Sequence, residues 1–337
     1  MLTTRITELL QIEKPIVQGG MQWIGYAELA AAVSNAGGLG LMTALSHATP
    51  EIFYDEIRRC QTLTDEPFGI NLTTLPSITP PPYRAYLDAA ISAGVQVVET
   101  SGSNPAIYTP ILKEAGITVL HKATSLRHAR KAEEVGVDAV IVDGFECAGH
   151  PGENDIPGLI AFPAAAETIS IPILAAGGVA DGRGLAAALA LGADGVLIAT
   201  RLMATTEAGI HENVKQAIVD ADELQTNLIF RELRNTARVA KNSISDEVVA
   251  ILRNGGVFED VRHLVSGARG RTVYETGDLE AGIWWAGLAQ TLIHDVPSCA
   301  ELLTRIVEDA ESVIRWRLAG LITTPADTVA VGTVPVG

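Results

Sequence analysis

The chain has 337 residues, with 47% apolar and only 19% charged side chains, so it can bury one large core or a domain with an insertion. Its formal net charge of −16 argues against nucleic acid and anionic lipid surfaces as partners. No apolar run is long enough to span a bilayer, and "MLTTRITELLQIEKP" lacks the apolar centre and cleavage site of a signal peptide, so a soluble, cytoplasmic protein is expected.

Short β-branched runs alternate with Ala/Leu-rich helical patterns. In chain order the predicted strands are 15–19, 39–44, 68–73, 95–101, 117–123, 139–144, 171–178 and 195–200. The intervening stretches, such as "YAELAAAVSNAG" and "SLRHARKAEEVG", mostly end in glycine. Glycine stops a helix because it enters the left-handed region at little steric cost. Strands joined by helices imply a parallel sheet with right-handed crossovers, and eight such units predict a (β/α)₈ TIM barrel. An open doubly wound sheet is disfavoured, because "GGMQWIG" after the first strand is not the glycine fingerprint of a dinucleotide fold.

After Thr200 the pattern changes. From about Arg201 to Gly282 the sequence predicts helices and no convincing strand, with "NTARVAKNSISDEVVAILRNGG" carrying a cluster of basic residues and a helix. The expected organisation is therefore a barrel domain, 1–200 and 283–322, with a helical insertion or lid, 201–282, after strand eight. "GIWWAGLAQTLIH" and "SCAELLTRIVEDAESVIRWRLAGL" should supply the last outer helices. The tail from Thr323 reads as unpacked.

In this architecture the strands' C-terminal ends carry the chemistry. Those ends hold Gly19, Gly20 and Met21; Asn71 and Thr73; His121 and Lys122; His150 in the sixth loop; Gly177 and Gly178; Ala199 and Thr200. "AAGGVADGRG" offers glycines for close backbone approach and Asp181 as a helix cap. Thr200 in "IATR" adds a hydroxyl, so the seventh and eighth strand ends predict a phosphate site.

Lys122 ends an apolar strand and is read as a cation facing an anionic group, against the alternative of a side chain reaching out to solvent. His121 should point the opposite way. "DGFECAGHPGENDIPG", 143–158, packs four glycines, two prolines and four acids around His150, an imidazole suited to holding or sharing a proton. The competing reading of His150 is an ordinary loop histidine. Cys147 is read as a packing residue, and Asp143, Glu146, Glu153 and Asp155 as loop hydrogen-bond acceptors and not as metal ligands. Trp284 and Trp285 either wall a pocket or pack under a helix. The three cysteines, Cys60, Cys147 and Cys299, have no metal spacing and form no disulfide framework.

The segments "PIVQGGMQW", "AVSNAGGLG", "PFGINLT", "ECAGHPGENDIPG", "ILAAGGVADGRG", "NTARVAKN" and "GIWWAGLAQ" resemble the nitronate monooxygenase (2-nitropropane dioxygenase) family of FMN-dependent TIM barrels, nearly end to end. The versions "FECAGHPGENDIPG" and "NTARVAKN" are most similar to its NADH:quinone reductase branch. The resemblance implies non-covalent FMN, with Gly20 and Met21 at the isoalloxazine and Thr73 and Lys122 near its polar edge. It implies Gly149 lining the ring beside a catalytic His150, and Gly177, Gly178, Ala199 and Thr200 at the phosphate. It further implies small-molecule substrates: NADH or NADPH with a quinone, or else a nitronate with O2, or, third, an enoyl thioester. Whether the protein is a homo-oligomer stays open. Two departures stand out: alanine precedes Thr200, and "AGH" stands where many relatives have two glycines before the histidine.

Overall fold

The structure is a computed structural model that describes residues 2–74 and 80–322; the tail from Thr323 lies outside the described residues. Eight parallel strands run in order around one sheet: β1 (Ile16–Gln18), β2 (Gly40–Thr43), β3 (Phe68–Thr74), β4 (Val97–Gly102), β5 (Thr118–Ala123), β6 (Ala139–Asp143), β7 (Ile173–Ala176) and β8 (Gly195–Ile198). β1 pairs with β8 on one side, and a parallel bridge between Val17 and Leu39 closes the ring on the other. The result is the expected TIM barrel.

Alternation along each strand builds two cores. Val17, Leu41, Val97, Leu120, Ile141, Leu174 and Leu197 fill the barrel, joined by Ile6 and Leu10 from the helix Arg5–Leu10. The opposite phase, including Ile16, Met42, Ile70, Val98, Val119, Val140, Ile173 and Val196, packs under the outer helices. Continuing the inward phase upward gives Asn71, Glu99, Lys122 and Asp143. The strands thus change from apolar to charged at their C-terminal ends.

The outer layer closes tightly where the chain ends meet. A Cβ on Gly182 would fall 2.4 Å from the Cβ of Asp309, so the helices Gly182–Ala190 and Cys299–Ser312 approach through that glycine. The preceding "GIWWAGLAQ" is not an outer helix. It runs without regular structure to a short 3₁₀ turn, Leu288–Leu292, because its job is to line the barrel mouth.

The segment after β8 is mixed and not simply helical. β9 (Thr226–Ile229) and β10 (Ala237–Ala240) form an antiparallel two-stranded sheet, followed by the helix Ser243–Arg253. The basic stretch therefore splits: "ARVA" is a strand, and Asn242 caps the helix that follows. At four residues each, with a turn holding Phe230 and Arg234 at positive φ, these strands are too short to register as a periodic pattern. The segment has a core of its own from Ile229, Phe230, Val239, Val248, Leu252, Val261 and Ile283. Among the described residues no helix is long and apolar enough to cross a membrane.

Candidate active site

A cavity of about 790 Å³ opens at the C-terminal ends of the strands. The ten residues that the resemblance names for cofactor binding or catalysis all line it: Gly20, Met21, Thr73, Lys122, Gly149, His150, Gly177, Gly178, Ala199 and Thr200.

Its floor begins at β1 and β3. A Cβ on Gly20 would lie 2.3 Å from the Asn71 carboxamide, so only glycine allows this close approach. The Met21 amide donates to Thr43 Oγ1 at 2.9 Å. Asn71 donates to Glu99 Oε2 at 2.8 Å, and the Thr73 hydroxyl donates to Asn71 Oδ1 at 3.1 Å and pairs with Ser101 at 2.8 Å. Lys122 Nζ lies 3.7 Å from Glu99 Oε1. Burial pushes the ammonium pKa down, but Glu99 and Asp143 outweigh it and hold Lys122 above its ordinary value, firmly cationic. His121 takes the opposite phase and meets the Thr100 hydroxyl at 2.8 Å; burial drops its pKa to about 4.

The wall from β7 and β8 suits an anion. Gly177 and Gly178 both have positive φ, at +91° and +76°, and both line the cavity, so the wall there is backbone without side chains. Asp181 caps the next helix by accepting from the Gly184 amide at 3.0 Å. Thr200 Oγ1 accepts from the Gly287 amide at 3.0 Å, which leaves its own O–H to donate. Ala199 sits at φ −130° and ψ −71°, so alanine in place of glycine here does not have to enter the left-handed region.

The β6 loop is held from both sides. Gly149, at φ +77°, exchanges two backbone hydrogen bonds with Arg238 of β10, at 3.0 and 2.6 Å. Arg238 also donates to Phe145 O at 3.0 Å and places its guanidinium 4.7 Å from the Phe145 ring centre. Glu153 accepts from the Thr236 amide and hydroxyl, both at 2.7 Å, and Asp155 pairs with Arg231 at 2.8 Å. Glu146 accepts from the Gly158 amide at 2.9 Å. These three acids serve the loop as the sequence suggests. Asp143 does not: it is only 7% exposed, turned into the barrel mouth, and burial raises its pKa to about 6 against the pull of Lys122. Cys147 is buried, and its thiol pKa is pushed well up by the same cause, so it is no nucleophile.

His150 stands at the lip. Its ring centre is 6.1 Å from that of Trp285, and burial lowers its pKa although Glu153 opposes this, so it is a neutral imidazole at pH 7. The tryptophan pair divides its roles: Trp284 is buried in the core and Trp285 walls the cavity. Asn235 and Thr236 from the β9–β10 segment also line the cavity. The residue that pattern reading passed over is Glu99. Its signal was present, as a carboxylate in the inward phase of "VQVVETS", two residues beyond the core residue Val97.

Comparison with known proteins agrees with this geometry. The probable nitronate monooxygenase of Staphylococcus haemolyticus is 31% identical, over 92% of this chain and 98% of that protein. The (3aS,4S,5R,7aS)-5-hydroxy-7a-methyl-1-oxo-octahydro-1H-indene-4-carboxyl-CoA dehydrogenase of Rhodococcus jostii is 30% identical, over 92% of this chain and 96% of that one. The solved structure of FabK from Thermotoga maritima superimposes with a TM-score of 0.89 at 34% identity, covering 96% of this chain and all (100%) of that one. The nitroalkane oxidase of Streptomyces ansochromogenes gives 0.77 at 27% identity, over 92% of this chain and 100% of its own. The nitronate monooxygenase family model matches residues 3–309, and the chain belongs to that family of oxidoreductases.

Proposed function

We propose that the protein is an FMN-dependent NAD(P)H:quinone reductase. The residues present fit the cofactor. Gly177 and Gly178, both at positive φ, with the Thr200 O–H left to donate, suit a phosphate monoester, Gly20 lets the Asn71 carboxamide close against the β1 end of the cavity, and Lys122 offers a cation at the polar edge of a flat ring. A bound flavin supplies the two-electron chemistry between nicotinamide and acceptor.

The chain supplies orientation and a proton donor. The observation that carries the quinone reading is His150: a neutral imidazole packed near an indole at the cavity lip. A quinone is flat and neutral, and needs an N–H at a carbonyl oxygen that gains charge as it is reduced. His150 can donate that hydrogen bond, while Trp285 flanks the ring. An alkyl nitronate is an anion and would gain more from an imidazolium, whereas burial keeps His150 neutral and the nearby carboxylate is that of Glu153. The stretches 145–158 and 235–242 also resemble the quinone-reductase branch.

The relative named as a probable nitronate monooxygenase supports the second reading, oxidation of alkyl nitronates with O2. Anaerobic mixing separates the two. The purified protein should be yellow, release FMN on heating, bleach with NADH or NADPH, and recover its colour on adding a quinone. No bleaching, together with O2-dependent turnover of an alkyl nitronate, would replace the first reading with the second. Released FAD would overturn the cofactor assignment.

A further inference from the structure

Beneath the cavity, three inward-facing charged groups climb around the barrel. Glu99 on β4 is level with Leu120 of β5; Lys122, two residues further, is level with Ile141 of β6; Asp143 lies two residues beyond that. Each is the next inward position above a core residue, Val97, Leu120 and Ile141. Glu99 is fully buried at 0% exposure, with Oε2 bound to Asn71 and Oε1 lacking any hydrogen-bond partner, 3.7 Å from Lys122 Nζ. The remaining neighbours add no compensating charge. Cys147 is a neutral thiol, Asn71 and Ala176 are uncharged, and His121 pairs with the Thr100 hydroxyl and is neutral, its pKa lowered by burial to about 4. Glu146 is bound to the Gly158 amide and Arg238 to Phe145 O.

Two carboxylates therefore share one ammonium, and the cluster carries an excess negative charge whenever both are ionised. Asp143 is buried beside this pair, and burial raises its pKa to about 6 against the pull of Lys122. A like charge arriving nearby disfavours a carboxylate and raises its pKa further.

We propose that the Glu99–Lys122–Asp143 cluster is a redox-linked proton buffer, in which Asp143 takes one proton from solvent when two electrons enter the flavin above it and returns that proton on reoxidation. Glu99 and Lys122 are positioning residues: they set the charge that Asp143 feels and hold the ammonium at the cavity floor. No covalent bond to substrate forms or breaks; one carboxylate becomes one carboxylic acid and reverts. The inference rests on the FMN reading.

The test is the midpoint potential of the bound flavin in the holoenzyme, titrated from about pH 5 to about pH 8. Above about pH 6 the extra proton makes reduction tenfold less favourable per pH unit than it would otherwise be, about 30 mV for a two-electron couple. Asp143→Asn should lose that extra slope. Glu99→Gln should move the onset of the slope to lower pH, because Glu99 raises the Asp143 pKa. Parallel lines for wild type and Asp143→Asn would overturn the proposal. Should that variant fail to fold, wild type decides alone: a slope that steepens by about 30 mV per pH unit above about pH 6 supports the buffer, and a slope that stays constant or becomes shallower refutes it. A protein that binds no flavin would overturn the reading beneath it, whereas a flavoprotein with parallel lines overturns this inference only.

Discussion

Gly177 and Gly136 offer a controlled test of the phosphate wall. Both sit at the same φ, +91° and +92°. Their surroundings differ. A Cβ on Gly136, at the end of the helix Leu126–Val135, meets nothing within 4 Å. A Cβ on Gly177 would lie 2.9 Å from the Cys147 amide nitrogen and 3.1 Å from Gly144 O. Those two atoms are bonded to each other across the start of the β6 loop, so neither can retreat freely. Alanine in the left-handed region costs about 1–2 kcal/mol, offset by about 0.4–1 kcal/mol from a less flexible unfolded chain. Gly136→Ala should therefore destabilise by about 1 kcal/mol. Gly177→Ala carries an added overpacking cost of about 1–3 kcal/mol, for a total of about 2–4 kcal/mol. Urea unfolding of the FMN-free proteins measures the difference without a contribution from cofactor binding. Equal midpoint shifts for the two variants would show that β7 and the β6 loop are not in close contact, and the wall would have to be rebuilt.

Two further outcomes are expected. His150→Ala should retain FMN, because the phosphate wall lies on other strands, yet slow reoxidation by quinone by about 10²–10⁴-fold or somewhat less, while reduction by NADH changes little; stopped-flow measurement of each half-reaction checks this, and unchanged rates would make His150 an ordinary loop residue. His121 is 4% exposed with its pKa lowered from 6.5 to about 4, so the unfolded chain binds more protons and stability is lost as pH falls from 6.5 through 4. That loss is about 3 kcal/mol and should be missing in His121→Gln, with urea midpoints at pH 7 and pH 4 as the measure. Asp143, whose raised pKa acts in the opposite sense, is common to both proteins and cancels.

The barrel was legible because its signals are local and repeated. Helix end, glycine and strand start recur at Gly94, Gly116, Gly136 and Gly192, and each of these glycines adopts the positive φ that the pattern implies. The segment after β8 was less legible for the converse reason. "TNLI" and "ARVA" are four-residue strands whose pairing is decided by contact with each other and, through Arg238, with Gly149. That contact is long-range and leaves no period in the sequence. The expectation of no strand in this segment failed at "ARVA" because a tertiary bridge decides the conformation there, while the helix expected in the same stretch forms at Ser243–Arg253.

The site divides along the same line. Gly177, Gly178 and Thr200 could be found because backbone conformation and strand-end position are local properties. The role of Asp143 could not, since it depends on which way the strand end faces. Read as the first residue of a polar loop, Asp143 looks like one more acceptor among Glu146, Glu153 and Asp155. Counted as the last inward residue of β6, it falls above Ile141, beside Lys122, and within the field of Glu99. The phase of a strand persists past the point where its apolar character stops. Extending that phase by one step on β4, β5 and β6 yields Glu99, Lys122 and Asp143 together. Three charged residues in consecutive strands, each two positions above a core residue, therefore amount to a sequence signature for a charged barrel floor, and one that depends on parity rather than composition.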